Sequence, residues 1–513
     1  MLFNSYAFLL AYLPITLIGF FALGRLGKGA GAAWLAGSSL FFYAWWDYRY
    51  LALLLASICA NYVAGSHIAR RAGTPEGRRL FALAVVVNLT LLAYYKYADF
   101  FLSSINATLG TDWPLLGIIL PIGISFFTFT QIAFLADAYA GKVSEYRFIY
   151  YVLFVTYFPH LIAGPVLHHR EMMPQFDEDR NYRVNWANLA IGLTIFAIGL
   201  AKKVLIADNL AGYAALVFAS QAEAPSLFVA WGGALAYTFQ LYFDFSGYSD
   251  MAIGLSRLFG VRLPLNFNSP YKSRNITEFW RRWHMTLSRF LRDYLYIPLG
   301  GNRRGALRRH TNLLATMVLG GLWHGAGWNF VIWGALHGSY LVINHAWQGI
   351  IRKRPLRLPG WLGHGSGVLL TFVCVVFAWV YFRAVDLASA NRIIGGMLGQ
   401  SGAALPDAIT ARLTALKPLL DALSIQTYLG GGSVFIETWA WIIVAALIAF
   451  LAPNTQEIMG SFEPALPEEG QRPLVPARHA WHPTRRTALA AGLLFGAGFL
   501  ALSRPTEFLY FQF

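Results

Sequence analysis

Repeated apolar runs, each roughly 20 residues long, restrict the fold of this chain more than any other feature, because a run of that length spans a bilayer as a helix. They occur near residues 5–23, 31–47, 50–69 and 79–98 and recur towards the end of the chain. The runs are continuous rather than alternating, so they predict membrane helices and not the strands of a barrel. We therefore predict an all-α, polytopic integral membrane protein with about 10–12 membrane helices plus re-entrant and interfacial helices.

The basic residues stand in short clusters between the apolar runs. These clusters are Arg70–Arg71, Arg78–Arg79, Arg303–Arg304, Arg308–Arg309 and Arg352–Arg354. Loops rich in Lys and Arg face the cytoplasm, where anionic lipids attract them. The net charge of +15 therefore indicates membrane lipids as partners and no nucleic acid. The repeated apolar runs themselves predict a multi-pass protein of the bacterial inner (cytoplasmic) membrane.

Two further features concern processing and redox chemistry. Cys59 and Cys374 lie inside apolar runs, so neither a disulfide nor a Cys-based metal site is predicted. The first apolar run has no basic residue before it, whereas Arg25 and Lys28 follow it. It is therefore predicted to be a retained first span with its N-terminus outside, not a signal peptide.

His324 stands in the middle of the apolar stretch Leu319–Phe330, between two basic segments. An ionisable residue at membrane depth is costly and marks a candidate functional site. Its neighbours are Trp323, Trp328, Asn329 and the glycines at 320, 321, 325 and 327. Either His324 is a core histidine hydrogen-bonded to a carbonyl, or it is a general base that Asn329 orients. No metal-ligand spacing accompanies it, so no metal is predicted.

Residues 311–346 are apolar, yet Arg309 and Arg352 flank them on what the charge pattern indicates is one side. Two short helices broken around Gly325–Gly327 account for this better than a single crossing. Broken membrane helices are tolerated where protein or a water-filled cavity surrounds them. The prediction is a re-entrant hairpin with His324 at its tip.

The segment Ile276–Tyr294 has helical periodicity and is rich in Arg and Trp, which predicts a helix lying along the membrane surface. His284, near Trp280, either snorkels like the arginines or points into the core towards His324. The basic residues nearby contact lipid headgroups or bind a polyanionic donor such as a nucleotide-bearing thioester. The candidates for donor binding are Arg281, Arg282, Arg303 and Arg304.

Polar residues stand at the end of the predicted span 226–249. Asp244, Ser246 and Asp250 either hydrogen-bond within the bundle, which we favour, or line an entrance to the site.

The remaining boundaries complete the sequence-based topology. Spans are predicted at 115–137, 147–165 and 186–205, and the polar loop 166–185 is not assigned to either side. A last span at 487–502 leaves the terminal FLYFQF outside. We predict one membrane-embedded domain, with peripheral N-terminal spans, a catalytic core and C-terminal spans at about 1–110, 115–345 and 365–513.

Several motifs resemble those of membrane-bound O-acyltransferases, and of the alginate-acetylating branch in particular. They are Phe158–Pro165 (FPHLIAGP), Gln240–Asp250 (QLYFDFSGYSD), Asn266–Tyr271 (NFNSPY), Glu278–Ser288 (EFWRRWHMTLS), Arg292–Gly301 (RDYLYIPLGG), Trp323–Asn329 (WHGAGWN) and the terminal FLYFQF. The resemblance covers most of the chain, and the two histidine motifs together are specific. One departure is His160, where the family pattern has glutamine.

The resemblance implies a catalytic role for His324 and a supporting role for His284. The further residues placed at the site are Trp323, Asn329, Trp280, Asp244 and Ser246. The resemblance also implies acetyl-CoA as the cytoplasmic acyl donor, with no permanently bound cofactor, and a tunnel through which the acetyl group crosses the membrane. A separate periplasmic, esterase-like acetyltransferase would then place it on polysaccharide hydroxyls, with alginate as the expected acceptor.

Other interpretations stay open at this point. The same chemistry could serve cellulose or peptidoglycan as acceptor. A transporter or flippase of a lipid-linked glycan would need paired intramembrane acids, for which Asp244 and Asp250 are the candidates, and a repeat symmetry that the sequence does not display. A scaffold for a polysaccharide synthase would tolerate any change at His324.

Overall fold

The computed structural model describes residues 1–143, 147–162, 164–220, 224–353, 359–466, 480–503 and 509. Most of these residues are helical, and strands are nearly absent among them. Its helices in the first half are α1 (Leu13–Gly24), α2 (Lys28–Ala44), α3 (Leu51–Arg70), α4 (Pro75–Leu109), α5 (Ile124–Tyr139), α6 (Phe148–Thr156), α7 (Phe158–Leu161), α8 (His169–Asp177), α9 (Trp186–Ala201), α10 (Asp208–Phe218) and α11 (Leu227–Leu258).

The second half continues the helical bundle. Its helices are α12 (Ile276–Trp280), α13 (Met285–Leu291), α14 (Gly305–His324), α15 (Trp328–Lys353), α16 (Gly360–Arg383), α17 (Leu387–Met397), α18 (Asp407–Thr410), α19 (Lys417–Ala422), α20 (Gly432–Leu451), α21 (Thr455–Ile458) and α22 (Arg485–Ala501). One short parallel pair, β1 (Ala403–Pro406) and β2 (Ile425–Tyr428), lies between α17 and α20.

Within the described residues, five helical segments are long and apolar enough to cross a membrane. They are Tyr48–Arg70, Pro75–Leu109, Trp186–Phe218, Gly360–Arg383 and Gly432–Leu451. A shorter apolar helical segment covers Phe8–Gly24. The prediction of an all-α, multi-pass membrane protein is confirmed.

The longest of these helices, α4, has clear start and stop signals. The Thr74 side chain accepts a hydrogen bond from the Gly77 N–H, and Pro75 occupies the first turn, where its missing N–H costs nothing. Gly110 ends the helix in a left-handed conformation (φ 66°), which glycine adopts without strain. The helix therefore extends well beyond the apolar run that predicted it.

The helix ends that carry basic clusters meet at one end of the bundle, which we call the basic end. Phe81, near the start of α4, stacks on Tyr139 at the end of α5, with 5.3 Å between ring centroids. Tyr294 donates to Asp137 Oδ2 in the last part of α5 at 3.0 Å. Asn312, near the start of α14, donates to carbonyls that follow Tyr294 in the chain. α4 and α14 therefore begin at the basic end.

α14 and α15 form an antiparallel hairpin whose backbones are in close contact. A Cβ at Gly321 would lie 2.1 Å from the Phe330 carbonyl oxygen, and one at Gly334 would lie 2.3 Å from the Met317 carbonyl oxygen. The chain reverses at Gly325–Gly327, as predicted. However, the two helices contain 20 and 26 residues, about 30 and 39 Å at 1.5 Å per residue, so the prediction of short helices is wrong.

The predicted single helix at 276–294 is also wrong, because the segment breaks in the middle. α12 ends at Trp280, and α13 begins after His284, whose φ of 42° is left-handed. That conformation is unusual for a residue with a side chain and persists only where its surroundings impose it. His284 is completely buried, so the interpretation in which it points into the core is correct.

Two predicted spans are shorter than expected. Residues 112–120 have no regular structure, and α5 begins only at Ile124, after Pro121 and Gly123 (φ 72°). The span predicted at 147–165 consists of α6 and α7, which are separated at Tyr157 before Pro159. Pro159 limits the helix that precedes it, and Pro121 stands just before the first turn of α5. The unassigned loop 166–185 contains α8, whose inner face is buried at the basic end.

Candidate active site

His324 is the last residue of α14 and stands among aromatic side chains. Its ring centroid lies 4.9 Å from that of Trp323, 5.2 Å from that of Trp333 and 5.1 Å from that of Phe382. The His284 ring lies 6.3 Å away. His324 is only partly buried, because it faces cavities inside the protein. The structure therefore brings the two predicted histidines together.

Asn266 determines which nitrogen of His284 carries the proton. Asn266 Oδ1 accepts hydrogen bonds from the Thr286 N–H (3.3 Å) and the Thr286 hydroxyl (3.0 Å), and it lies 3.1 Å from His284 Nδ1. Because an atom that accepts from a backbone N–H is an oxygen, His284 Nδ1 must be the donor in this contact. Nε2 of the neutral ring is then the acceptor, and it has no hydrogen-bond partner among the described residues.

Other polar atoms around His324 share this property. The indole N–H groups of Trp323 and Trp333 are buried and lack a hydrogen-bond partner within the described part of the chain. Buried polar groups are normally paired, so each unpaired group requires an explanation. The two indole N–H donors and the His284 Nε2 acceptor lie close together beside His324. A polar ligand bound there during turnover would supply their missing hydrogen-bond partners.

Two cavities adjoin the hairpin tip. The inner cavity, about 260 Å³, is lined by Lys96, residues 119–126 and His324, together with Trp46, Ile162 and Trp323. The outer cavity, about 730 Å³, is lined by Ser103 and Ser104 of α4, the hairpin turn 325–330 and the segment 382–387. Both cavities include Lys96 and Leu120 in their walls. The outer cavity lies towards the end of α4 that is remote from the basic end.

Leu509, near the C-terminus, also reaches His324. It is 2% exposed and lines a small cavity of about 20 Å³ with His324, Trp283 and Phe382. The prediction that the terminal FLYFQF stays outside is therefore wrong for Leu509, while 508 and 510–513 lie outside the described residues. Burial among aromatic rings stabilises a leucine side chain, and no local sequence signal reports it.

A cavity of about 1130 Å³ lies at the basic end, and we call it the basic cavity. Its cationic lining residues are Lys142, Arg170, Arg180, Arg257, Arg262, Arg289 and Arg292, and its acidic ones are Asp137, Glu171, Glu178, Asp293 and Glu463. None of the four predicted donor-binding arginines lines it. Arg281, Arg303 and Arg304 are exposed, and Arg282 pairs with Glu278 at 2.9 Å.

A buried polar network forms one wall of the basic cavity. Tyr294 donates to Asp137 Oδ2 at 3.0 Å and lies 3.1 Å from His168 Nδ1. Burial, helped by the neighbouring charge of Arg289, lowers the pKa of His168 to about 4, so its ring is neutral at pH 7. Arg289 makes a two-pronged ion pair with Glu171, at 2.6 and 2.8 Å, which fixes its guanidinium in the wall.

An aromatic cluster separates this wall from His324. Tyr294 packs on Phe290, Phe290 stacks on Phe129 at 4.4 Å, and Phe129 stacks on Trp323 at 5.3 Å. Trp323 in turn contacts His324. The basic cavity and the histidine pair therefore lie on two sides of one apolar layer.

The remaining predicted site residues differ in whether they line a cavity near His324 or only pack within the bundle. Asn329 is buried and donates to the Ala384 carbonyl at 2.6 Å, so its amide ties α15 to the end of α16; it also lines the outer cavity. Trp280 packs on Trp333 and not directly on His324. Ser246 is buried in α11, with no hydrogen-bond partner for its hydroxyl among the described residues.

Asp244 and Asp250 belong to buried ion pairs, as the favoured interpretation predicts. Lys203 lies 2.5 Å from Asp244 and 2.6 Å from Asp208. Lys202 lies 2.6 Å from Asp250. Asp244 also lines the small cavity beside His324. Pairing of this kind joins α11 to the helix that contains the two lysines.

Sequence reasoning missed several residues of the site. Asn266 and Trp333 stand beside the histidines, and the arginines of the basic cavity come from separate segments that fold together. Lys96 offered one available signal, because it is a single lysine near the end of the apolar run 79–98.

Comparison with known proteins identifies the family. A model of MBOAT, the membrane-bound O-acyltransferase family, matches residues 40–384. The chain belongs to the membrane-bound O-acyltransferase family. The matched region begins in α2 and ends after α16, so it contains both histidines and the hairpin. The resemblance found in the motifs is confirmed, and the protein is an acyltransferase.

Three relatives of this O-acyltransferase carry different names. It is 40% identical to the peptidoglycan O-acetyltransferase of Helicobacter pylori, over the whole chain and 98% of that protein. It is also 40% identical to the probable alginate O-acetylase AlgI of Pseudomonas aeruginosa, over the full length of both. Similarity to the teichoic acid D-alanyltransferase of Streptococcus thermophilus is 30%, over 51% of this chain and 68% of that protein.

Proposed function

We propose that this membrane O-acyltransferase takes an acetyl group from acetyl-CoA at the cytoplasmic face and passes it across the membrane for O-acetylation of an exopolysaccharide, alginate. The observation that carries the proposal is the placement of His284 and His324 between a basic cavity on one side and cavities towards the opposite end. A separate periplasmic acetyltransferase would complete the transfer to the polysaccharide.

The basic cavity suits the nucleotide part of the donor. Coenzyme A carries several phosphate charges, and guanidinium groups bind phosphate with paired hydrogen bonds. Loops rich in Lys and Arg face the cytoplasm, which supports a donor site at the basic end, because acetyl-CoA is made in the cytoplasm. The proposal therefore replaces the exposed Arg281, Arg303 and Arg304 with the cavity arginines as the residues that bind the donor.

The chemistry asks little of the protein beyond positioning and a base. The acceptor oxygen attacks the thioester carbonyl carbon, the C–S bond breaks, and the acceptor proton passes to the His324 imidazole as coenzyme A leaves as a thiolate that is then protonated. Alternatively, His324 itself receives the acetyl group and then gives it to the acceptor oxygen. The His284 Nε2 lone pair, which Asn266 fixes through Nδ1, is available to accept a hydrogen bond from a ligand in the same site.

Peptidoglycan is the second candidate acceptor. The peptidoglycan O-acetyltransferase of Helicobacter pylori and the alginate O-acetylase of Pseudomonas aeruginosa have the same identity to this chain, 40% in each case. Deletion of the gene, followed by measurement of ester-linked acetate on purified exopolysaccharide and on purified peptidoglycan, decides between the two. Loss of acetate from the exopolysaccharide alone supports the first candidate.

A transporter would use intramembrane acids as carriers of ions or protons. Asp244 and Asp250 are each paired with a lysine on the neighbouring helix, which favours a structural role for both. A purified protein that moves a glycan but does not consume acetyl-CoA would support the transporter.

Replacement of the central histidine tests the proposal. Purified wild-type protein should release free coenzyme A from acetyl-CoA when an acceptor is present, and His324→Ala should insert normally yet lose this activity. His160→Gln is the matched control: His160 is a buried histidine whose Nε2 lies 3.0 Å from the Phe154 carbonyl, and a glutamine amide can donate there. Wild-type activity in His324→Ala would contradict the proposed chemistry.

A further inference from the structure

Lys96 is an ionisable side chain within a membrane helix that the proposed chemistry does not use. α4 runs from Pro75 to Leu109, so Lys96 lies about 31 Å along the helix from its basic end and about 20 Å from the other end. Ionisable residues at such depth are costly and are retained for a role. The side chain reaches the hairpin tip.

The contacts of α4 complete the hydrogen bonding of the last turn of α14. The final four carbonyls of a helix have no partner within it, and an unpaired carbonyl inside a membrane is costly. The Gly321 carbonyl accepts from the Gly325 N–H, and the Leu322 carbonyl accepts from the Tyr97 hydroxyl at 2.8 Å. Lys96 Nζ donates to the last two, those of Trp323 at 2.5 Å and His324 at 3.1 Å.

The hydrogen-bonding capacity and the charge of a lysine suit this position at the end of α14. An ammonium group has three N–H donors, and the third acceptor is Ser125 Oγ at 3.3 Å. A cation at the C-terminus of a helix also interacts favourably with the helix dipole. The side chain thus holds the backbone of His324 from outside the hairpin and ties it to α5.

Lys96 differs from Tyr97 in what else it contacts. Lys96 lines both the inner and the outer cavity, and the inner cavity also contains the His324 ring. Tyr97 lines neither of these cavities. The two neighbouring residues therefore support the same helix end, but only Lys96 stands where the two cavities meet beside His324.

We propose that Lys96 is a positioning residue for His324: it fixes the last two carbonyls of α14 and thereby sets where the imidazole stands at the meeting point of the inner and outer cavities. This inference rests on the proposed acyl transfer for its kinetic consequence. Its structural consequence, an ordered hairpin tip, can be measured without activity.

Kinetics provide the first test. Lys96→Met should lower kcat about 100-fold, the effect expected of a small displacement of a catalytic group, while KM for acetyl-CoA stays within about threefold because the basic cavity is remote. Lys96→Arg keeps the charge and several donors and should recover part of the activity. Tyr97→Phe, which removes only the Leu322 contact, should keep kcat within about threefold.

A spin label provides a second test that does not depend on turnover. Ala326 is exposed at the hairpin turn, so a nitroxide can be attached through Ala326→Cys after Cys59→Ser and Cys374→Ala. The label should become more mobile in the Lys96→Met background and change less in the Tyr97→Phe background. Folding of each variant is checked by its yield and unfolding midpoint.

The outcomes separate the two proposals. If the wild type does not transfer acetyl from acetyl-CoA, the proposed function fails, and the spin label still tests Lys96. If the wild type is active and folded Lys96→Met has wild-type kcat, or its label mobility is unchanged, the positioning role is overturned. It is also overturned if Tyr97→Phe matches Lys96→Met in both measurements, because general support of the helix end would then explain the result.

Discussion

The ring centroids of His284 and His324 lie 6.3 Å apart, although one residue stands between two short helices and the other ends a long one. Each is held through a different contact. Asn266 fixes the tautomer of His284, and Lys96 fixes the backbone of His324. The pair is therefore positioned by residues distant in sequence, which makes those residues testable separately from the histidines.

Asn266 should affect activity more than stability. Asn266→Leu removes the oxygen that accepts from His284 Nδ1, so the imidazole loses its fixed tautomer. We expect kcat to fall about 10–100-fold, the usual effect of losing a residue that orients a functional histidine. Steady-state kinetics on purified, folded variant measure this.

Thr286→Val is the matched control for Asn266. It removes the hydroxyl that accepts from the buried Val166 N–H at 2.9 Å and donates to Asn266 Oδ1 at 3.0 Å, but it leaves the Thr286 N–H and His284 Nδ1 as donors to that oxygen. We expect a loss of about 1–3 kcal/mol in the free energy of unfolding and a smaller effect on kcat. Equal losses of kcat in both variants would argue against a specific role for Asn266.

Adding even a methyl group where the backbones of α14 and α15 touch should destabilise the hairpin. In Gly334→Ala the new Cβ would lie 2.3 Å from the Met317 carbonyl oxygen, so α14 and α15 must separate and His324 must move. We expect lower stability, and lower activity per folded molecule. Gly349→Ala on the same helix meets nothing within 4 Å and should stabilise α15 by up to about 1 kcal/mol. Thermal unfolding in detergent compares the two, and a neutral Gly334→Ala would contradict the close packing.

The hairpin illustrates how far the sequence leads. The basic residues on both sides of 311–346 and the glycines around His324 predict the reversal. Both signals can be read directly from the nearby sequence. The break at His284 has no such signal, since a left-handed φ at a non-glycine residue is imposed by burial. The same holds for Leu509, whose environment is formed by helices distant in sequence.

The candidate site likewise contains some residues that the sequence predicts and others that it does not. His324 and His284 are identifiable from the sequence because an ionisable residue in an apolar or amphipathic segment is unusual. The arginines of the basic cavity are not, because α8, α11, α13 and the segments between them contribute one or two each. Clusters in the sequence, such as Arg303–Arg304, instead lie exposed.

Lys203, Asp208 and Asp244 form a buried ion-pair group. Within it, substitution of Lys203 should lower the free energy of unfolding the most. Lys203→Met leaves the carboxylates of Asp208 and Asp244 without their shared cation, and we expect a loss of about 3–5 kcal/mol. Asp244→Asn leaves Lys203 paired with Asp208 and should cost about 1–3 kcal/mol. Equilibrium unfolding of both variants measures the difference, and the reverse order would show that Asp244 is not held mainly by this pair.

Donor binding distinguishes the basic cavity from the exposed arginines. Arg257 lines the cavity, and among the described residues no direct ion pair neutralises its charge, so its guanidinium is suited to bind a phosphate. Removing one charged hydrogen bond to phosphate costs about 1.5–3 kcal/mol, so Arg257→Gln should raise KM for acetyl-CoA at least about tenfold at low salt. Arg304→Gln, an exposed arginine outside the cavity, should leave KM unchanged. The wild-type KM should also rise with ionic strength, because salt screens the attraction between the cavity and the phosphates. An increase in KM confined to Arg304→Gln would instead place the donor at the exposed cluster that the sequence predicted.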